Sequence, residues 1–338
     1  MVKDQLITDQ YAIYEGDCMD VLPTLQKECA SLVVFSPPFL GLYQYSSSER
    51  DFSNCDSREQ GLEQYEYFVK ELYRVLKPGR ICAVHCTDLM NKDGSQYDYP
   101  NELEKIHCRN GFTRRNKITI WKEPLKVRMR TMVKSLMHKL IVEDSTECFT
   151  AMPDYVLIFK RDGQNEVPVT HPFGLTHYAG ETPFLKAHED TYGDYETFKK
   201  KWKNFEGDPR ENKFSHITWQ RYASSVWDDI RIDEVLQFQD GRDEDDEKHV
   251  HPLQLDVIDR IVELYSNSGE VVLTPFMGVG SEVYGPVSMG RKAIGIELKT
   301  SYFKQAIKNL KNADRRFDAD KQATLFDATN KEVLQEQD

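Results

Sequence analysis

The sequence predicts an α/β protein built on a central sheet. Greasy strand-like runs alternate with amphipathic helical periods from about residue 11 to 160, and the same alternation returns after residue 251. The composition, 39% hydrophobic and 30% charged over 338 residues, is that of a globular chain with room for one large domain or two ordinary ones.

Each element follows from its local pattern. YAIYEGD (11–17) reads as a short strand ending at Gly16-Asp17, and SLVVFSPPF (31–39) as the second. EQYEYFVKELYRVLKPGR (63–80) is an amphipathic helix, with Tyr65, Phe68, Val69, Leu72, Val75 and Leu76 on one face. Lys77-Pro78-Gly79 stops it. RICAVHC (80–86) is the third strand, and KITIW (117–121) and YVLIFK (155–160) are expected to be antiparallel neighbours. Residues 161–250 have weak periodicity and include the solvated acidic run DGRDEDDE (240–247), so they read as an insert. Within it, Trp219 and Trp227 are expected to form a small core. Beyond it come a helix (253–266), a strand (270–276), a glycine turn with a short helix (277–290), a strand (292–298) and a helix (301–310). The expected division is 1–160 and 251–312 for the two parts of the catalytic sheet, 161–250 for the insert and 313–338 for a flexible tail.

No apolar run approaches the ~18 residues of a membrane span, and the N-terminus lacks the apolar core of a signal peptide, so a cytoplasmic location is expected. The seven cysteines form no CxxC pair; reduced thiols and no metal site are expected. A net charge of −12 argues against indiscriminate nucleic-acid binding. It leaves room for a local basic groove, because charges are screened beyond about 8 Å at physiological salt.

Ser36-Pro37-Pro38-Phe39 ends the second strand. Two prolines fix φ twice and remove two N–H donors, so the carbonyls of Ser36 and Pro37 become rigid acceptors beside a flat aromatic face. After a later strand, Gly278 and Gly280 let a ligand approach the backbone and a helix N-terminus. Glu297, 19 residues after Gly278 at the end of the next strand, suits the ribose hydroxyls of an adenosine cofactor. Asp17 is a candidate for the adenine amino group and also a candidate helix N-cap. The missing third glycine of GxGxxG argues against a pyrophosphate.

These motifs resemble those of the DNA amino-methyltransferases, which use S-adenosylmethionine. Ser36–Phe39 is similar to the family's [DNS]-PP-[YFW] motif and Phe276-Met277-Gly278-Val279-Gly280 to its FxGxG motif. The catalytic motif comes before the insert and the glycine loop, a circularly permuted order that resembles the β subgroup. HPLQ (251–254) and EGDCMDVL (15–22) resemble two further blocks of that subgroup. Thr274-Pro275-Phe276 stands where Asp-Pro-Phe is common, and Leu255-Asp256 where Lys-Pro is common.

The resemblance implies a Rossmann-like methyltransferase sheet carrying an inserted target-recognition region. It implies a double-stranded DNA substrate, a flipped base, and Ser36, Pro37, Pro38 and Phe39 as the catalytic turn. Asp17, Cys18, His251, Gln254, Thr274, Pro275, Phe276, Gly278, Gly280 and Glu297 are the implied cofactor contacts. A leading Ser goes more often with cytosine N4 than with adenine N6, and both stay open, as does, more remotely, an RNA or protein amide. No cysteine follows a proline, which speaks against cytosine C5 chemistry. The segment 121–139 carries Lys122, Lys126, Arg128, Arg130, Lys134 and Lys139 against one acid and is a candidate phosphate-contacting segment, with a solvated helix as the alternative; YSSSER (45–50) is a candidate lid over the flipped base with Arg50 on phosphate, or a mobile loop. Dimers are frequent in the subgroup, so a homodimer is a candidate assembly. QATLF (322–326) resembles the short peptides that dock on the bacterial sliding clamp; a bacterial or phage origin is expected.

Overall fold

The computed structural model describes residues 2–40, 50–91, 93–131, 133–203, 205–242, 252–311 and 313, with the side chains of 130 and 131 left out. The candidate clamp peptide at 322–326 and His251 lie outside the described residues.

The chain opens with a hairpin of β1 (Asp4–Ile7) and β2 (Tyr11–Glu15), followed by the one-turn helix α1 (Cys18–Val21) and β3 (Ala30–Phe35). Helix α2 (Arg58–Val75) buries the expected face and runs straight into β4 (Leu76–Thr87). The Lys-Pro-Gly triplet therefore lies inside a strand: the helix ends one residue before it, and Gly79 takes φ +70° there. A small hairpin of β5 (Leu89–Met90) and β6 (Gln96–Tyr97) precedes α3 (Tyr99–Arg109) and β7 (Phe112–Ile120). The basic segment holds α4 (Pro124–Thr131) and α5 (His138–Glu143), and β8 (Asp154–Arg161) follows.

The insert contains α6 (Lys186–Tyr192), α7 (Tyr195–Trp202), α8 (Lys213–Tyr222) and β9 (Val226–Trp227). The second part of the sheet supplies α9 (Leu255–Tyr265), β10 (Val271–Thr274), α10 (Ser281–Ser288), β11 (Lys292–Glu297) and α11 (Thr300–Leu310). Among the described residues no helix is long and apolar enough to cross a membrane.

The main sheet runs β1-β2-β11-β10-β3-β4-β8-β7-β9. β2, β11, β10, β3 and β4 are parallel neighbours in that order, and β8 pairs antiparallel with both β4 and β7. Alternate residues of β3 serve opposite cores. Val33 and Phe35 pack with α2 and α3, whereas Leu32 and Val34 pack with α9. Both faces are thus covered, which is why the strand reads as unbroken apolar sequence.

Two features differ from expectation. β9 comes from within 161–250 yet pairs with β7, so the insert completes the edge of the sheet. Trp227 is buried, but Trp219 is 54% exposed and is not core. Arg260, fully buried on α9, fastens the insert to the sheet. It reaches the Asp229 carboxylate at 2.8 Å and the Ala179 carbonyl at 2.8 Å.

The chain's two halves meet at β3 and β10, where Val272 pairs with Leu32 and Leu273 with Val33. Their C-terminal turns, Ser36–Phe39 and Pro275–Gly280, therefore leave the sheet side by side, at the edge where open α/β sheets bind ligands. Phe276 locks the junction. Its ring lies 5.0 Å from Phe68, 5.8 Å from Phe35 and 5.9 Å from Phe52.

Candidate active site

A cavity of about 730 Å³ opens above these two turns. Ser36, Pro37, Pro38 and Phe39 form one wall, and Pro275, Phe276, Gly278 and Glu297 another. Asp17, Cys18, Arg50, Gln254, Lys122 and Lys126 also line it.

At the glycine turn, Gly278 and Gly280 do different jobs. Gly278 has φ +52°, and a Cβ there would meet nothing within 4 Å, so its free side faces the cavity. Gly280 has φ +95°, but a Cβ there would sit 3.2 Å from that of Ala306. It allows α11 to pack close, and it is not among the residues that line the cavity. The Gly278 N–H donates to Glu297 Oε2 at 2.9 Å, and the Lys299 N–H donates to Glu297 Oε1 at 2.8 Å. Each oxygen keeps a lone pair for an incoming hydroxyl. Burial pushes the Glu297 carboxyl up to about 7, against the pull of those two amides.

Four further polar positions shape this end. Gln254 precedes α9, and its Oε1 is buried with no hydrogen-bond partner; Ser281 Oγ, at the start of α10, is likewise buried and unpartnered. Thr274 is wholly buried below the turn, its Oγ1 also unpartnered, and does not line the cavity. Asp17 caps α1 through Oδ1, which accepts from the Met19 N–H at 2.8 Å, while its Oδ2 meets Arg50 at 3.2 Å. Cys18 is buried, and that burial pushes its thiol well above the ordinary range.

At the other wall the strand register assembles a chain of polar groups that spacing did not reveal. Ser36 Oγ lies 3.1 Å from His85 Nδ1 on β4. His85 Nε2 lies 3.3 Å from Asp154 Oδ2 at the start of β8, and Lys122 Nζ pairs with Asp154 Oδ1. Burial alone would raise the Asp154 carboxyl, but the Lys122 ammonium and His85 outweigh it and hold it well below the usual carboxylate range. With Nε2 turned toward Asp154, Nδ1 faces Ser36, whose Oγ also lies 3.3 Å from the His85 carbonyl oxygen, so its O–H has an acceptor on His85. The Ser36 oxygen then has lone pairs to offer the cavity. Tyr99 donates to the Pro38 carbonyl at 3.0 Å and fixes the turn from behind. Lys122, expected on phosphate, instead belongs to this chain of groups.

The remaining basic residues divide. Arg50 reaches Asp20 at 2.6 Å as well as Asp17. Lys126 is exposed on α4 at the cavity's rim, 3.5 Å from Asp233. Arg128 is half-buried on the same helix, and Lys134 is exposed in the turn after it. Arg130 belongs to α4, but its side chain is outside the described residues. Around them stand Leu125, Met129, Ile141, Val142 and Phe149, all exposed apolar side chains.

This geometry agrees with what the sequence is similar to. A DNA methylase family profile matches residues 30–308. The chain belongs to the DNA methylase family. It is 24% identical over 317 residues to the type II methyltransferase M.BamHI of Bacillus amyloliquefaciens, covering 93% of this chain and 61% of that protein. It is 22% identical to the DNA adenine methyltransferase YhdJ of Escherichia coli (strain K12), over 88% of this chain and 82% of that one. The solved structure of the cytosine-N4-specific PvuII DNA methyltransferase shares the fold at a TM-score of 0.57 and 14% identity, covering 94% of this chain and 95% of that one.

The family's cofactor is S-adenosylmethionine, and the cavity fits it. There is open space beside Gly278, Glu297 keeps lone pairs that can meet hydroxyls, and the Gln254 and Ser281 side-chain oxygens have no partner.

Proposed function

We propose that this protein transfers a methyl group from S-adenosylmethionine to an exocyclic amine of a base flipped out of double-stranded DNA, with cytosine N4 as the target. The convergence of Ser36–Phe39 with Gly278 and Glu297 in one cavity carries this reading.

The bound cofactor supplies an electrophilic methyl group; the rest is the work of this chain's residues. An exocyclic amine is a poor nucleophile because its lone pair is delocalised into the ring. Ser36 Oγ and the Pro37 carbonyl accept its two N–H groups, favour the pyramidal form and stabilise the positive charge that builds on nitrogen. The Ser36 O–H donates to His85, whose Nδ1 lies at 3.1 Å and whose carbonyl oxygen lies at 3.3 Å, so the Ser36 oxygen meets the amine as an acceptor. The two prolines keep both acceptors still. Phe39 stacks on the base, worth about 1–3 kcal/mol, which offsets much of the few kcal/mol that extrusion costs. Glu297 orients the nucleoside end of the cofactor, and Lys126, Arg128 and Lys134 meet phosphates near the cavity mouth.

The test is the product. DNA incubated with the protein and methyl-labelled S-adenosylmethionine is digested to nucleosides and separated. Label in N4-methylcytosine is expected. Label in N6-methyladenine would keep the reaction and change the base, and label in neither would overturn the reading.

A further inference from the structure

Glu282 stands in the first turn of α10, immediately after Ser281, and lines the same cavity. It is 4% exposed. Among the described residues it has no ion-pair partner. Burial pushes its carboxyl up to about 8, and the nearby Glu297 adds to that. The basic groups that line the cavity are engaged elsewhere: Arg50 by Asp17 and Asp20, Lys122 by Asp154, and Lys126 by Asp233. Lys299 lies over the Tyr302 ring at 4.5 Å. A buried carboxyl without a counter-charge is costly, and it lines the same cavity as Gln254 and Ser281, whose buried side-chain oxygens also lack a partner.

We propose that Glu282, with Gln254 Oε1 and Ser281 Oγ, holds the α-ammonium group of the cofactor's methionine tail. This rests on the reading of the cavity as an S-adenosylmethionine site. An ammonium group has three N–H donors and no acceptor, and these side chains offer it one acceptor each. The α-carboxylate is a poor occupant of the same place, because it would meet a second carboxylate there. Glu282 also occupies the helix N-terminus that would otherwise attract an anion. The cofactor tail therefore enters ammonium first.

The experiment compares the wild type with Glu282→Gln by calorimetric binding of four probes. These are S-adenosylmethionine, S-adenosylhomocysteine, decarboxylated S-adenosylmethionine and 5′-methylthioadenosine. The first three carry the ammonium group, the second lacks the sulfonium charge, the third lacks the carboxylate, and the last lacks the amino-acid tail. Loss of a charge-assisted hydrogen bond predicts about 10- to 100-fold weaker binding of the first three, with 5′-methylthioadenosine within about twofold. Gln254→Ala should show the same pattern with a smaller loss and guards against a folding defect in the first variant. An equal loss for all four probes, no loss for any, or a loss spared in the decarboxylated probe would each overturn the assignment. A wild type that binds none of the four would instead defeat the cofactor reading itself.

Discussion

The two halves of the cavity are built alike and charged differently. Each is a turn at the C-terminal end of a parallel strand, β3 on one side and β10 on the other. The β10 half presents two carboxyls, half-buried Glu297 and buried Glu282, whose ionised forms desolvation disfavours. The β3 half presents neutral acceptors, and its buried carboxylate Asp154 is already matched by Lys122. Carboxyls without a counter-charge suit a cofactor that brings its own positive charge, because that charge favours their ionised forms. A matched, neutral half suits an uncharged amine that becomes positive only during the reaction. On the proposed reading, the same scaffold serves ground-state binding on one side and transition-state stabilisation on the other.

Separating the halves by mutation should separate binding from catalysis. Glu297→Ala removes the ribose anchor, so S-adenosylmethionine affinity should fall about 10- to 100-fold, while transfer at saturating cofactor stays near wild type; equilibrium dialysis and initial rates check this. His85→Ala acts through Ser36 and not on the substrate directly. Transfer should slow by roughly tenfold, less than for removal of a direct contact, with cofactor affinity unchanged. A weakened cofactor site in that variant would mean the halves are not independent.

The outer rim makes a third, sequence-independent contribution. Replacing Lys126, Arg128 and Lys134 by Ala should weaken DNA binding at all sequences and flatten the salt dependence by about 0.9 per lost phosphate contact. Fluorescence anisotropy at several salt concentrations measures both.

The smallest effect tests the charge contrast itself. In the cofactor-free protein Glu297 and Glu282 have carboxyls raised to about 7 and about 8 by folding. The folded state then keeps protons that the unfolded chain sheds from about pH 4.5 upward, so these groups make stability fall as pH rises toward 8. Asp154 has the opposite sign: its lowered carboxyl stabilises above the ordinary Asp range and loses that contribution only on acidification. Melting temperature should drop by roughly 2–4 °C per kcal/mol of linkage between pH 5.5 and 8.5. Glu263 on α9, raised by burial to about 7, contributes to the same fall. The double variant Glu282→Gln, Glu297→Gln should reduce the slope without abolishing it. An unchanged slope in that variant would contradict the assignment of charge.

Much of this was legible in the sequence because it is local. A strand followed by Ser-Pro-Pro-Phe, and a strand followed by Phe-x-Gly-x-Gly with an acid at the next strand end, are each contained within a few residues of a strand end. The base half's support was not legible, because it depends on register. His85 and Asp154 are 69 positions apart in sequence and meet only because β8 folds back along β4, pairing Thr87 with Asp154. The one local trace was a histidine within the apolar run Ile81–Cys86 of β4. The packing use of Gly280 was hidden for the same reason: its spacing matches a ligand loop, and its closeness to Ala306 on α11 appears only in the fold. β9 is two residues long, too short to show a period, so its place at the sheet edge could not be read from sequence.

The most direct measurement takes both readings from one sample of Ser36→Ala. Single-turnover methyl transfer to DNA and the dissociation constant for S-adenosylmethionine are measured side by side. Transfer should fall about 100-fold or more while cofactor affinity stays within about twofold. Transfer at the wild-type rate, or a collapse of cofactor binding, would contradict the division of the cavity into a cofactor half and a base half.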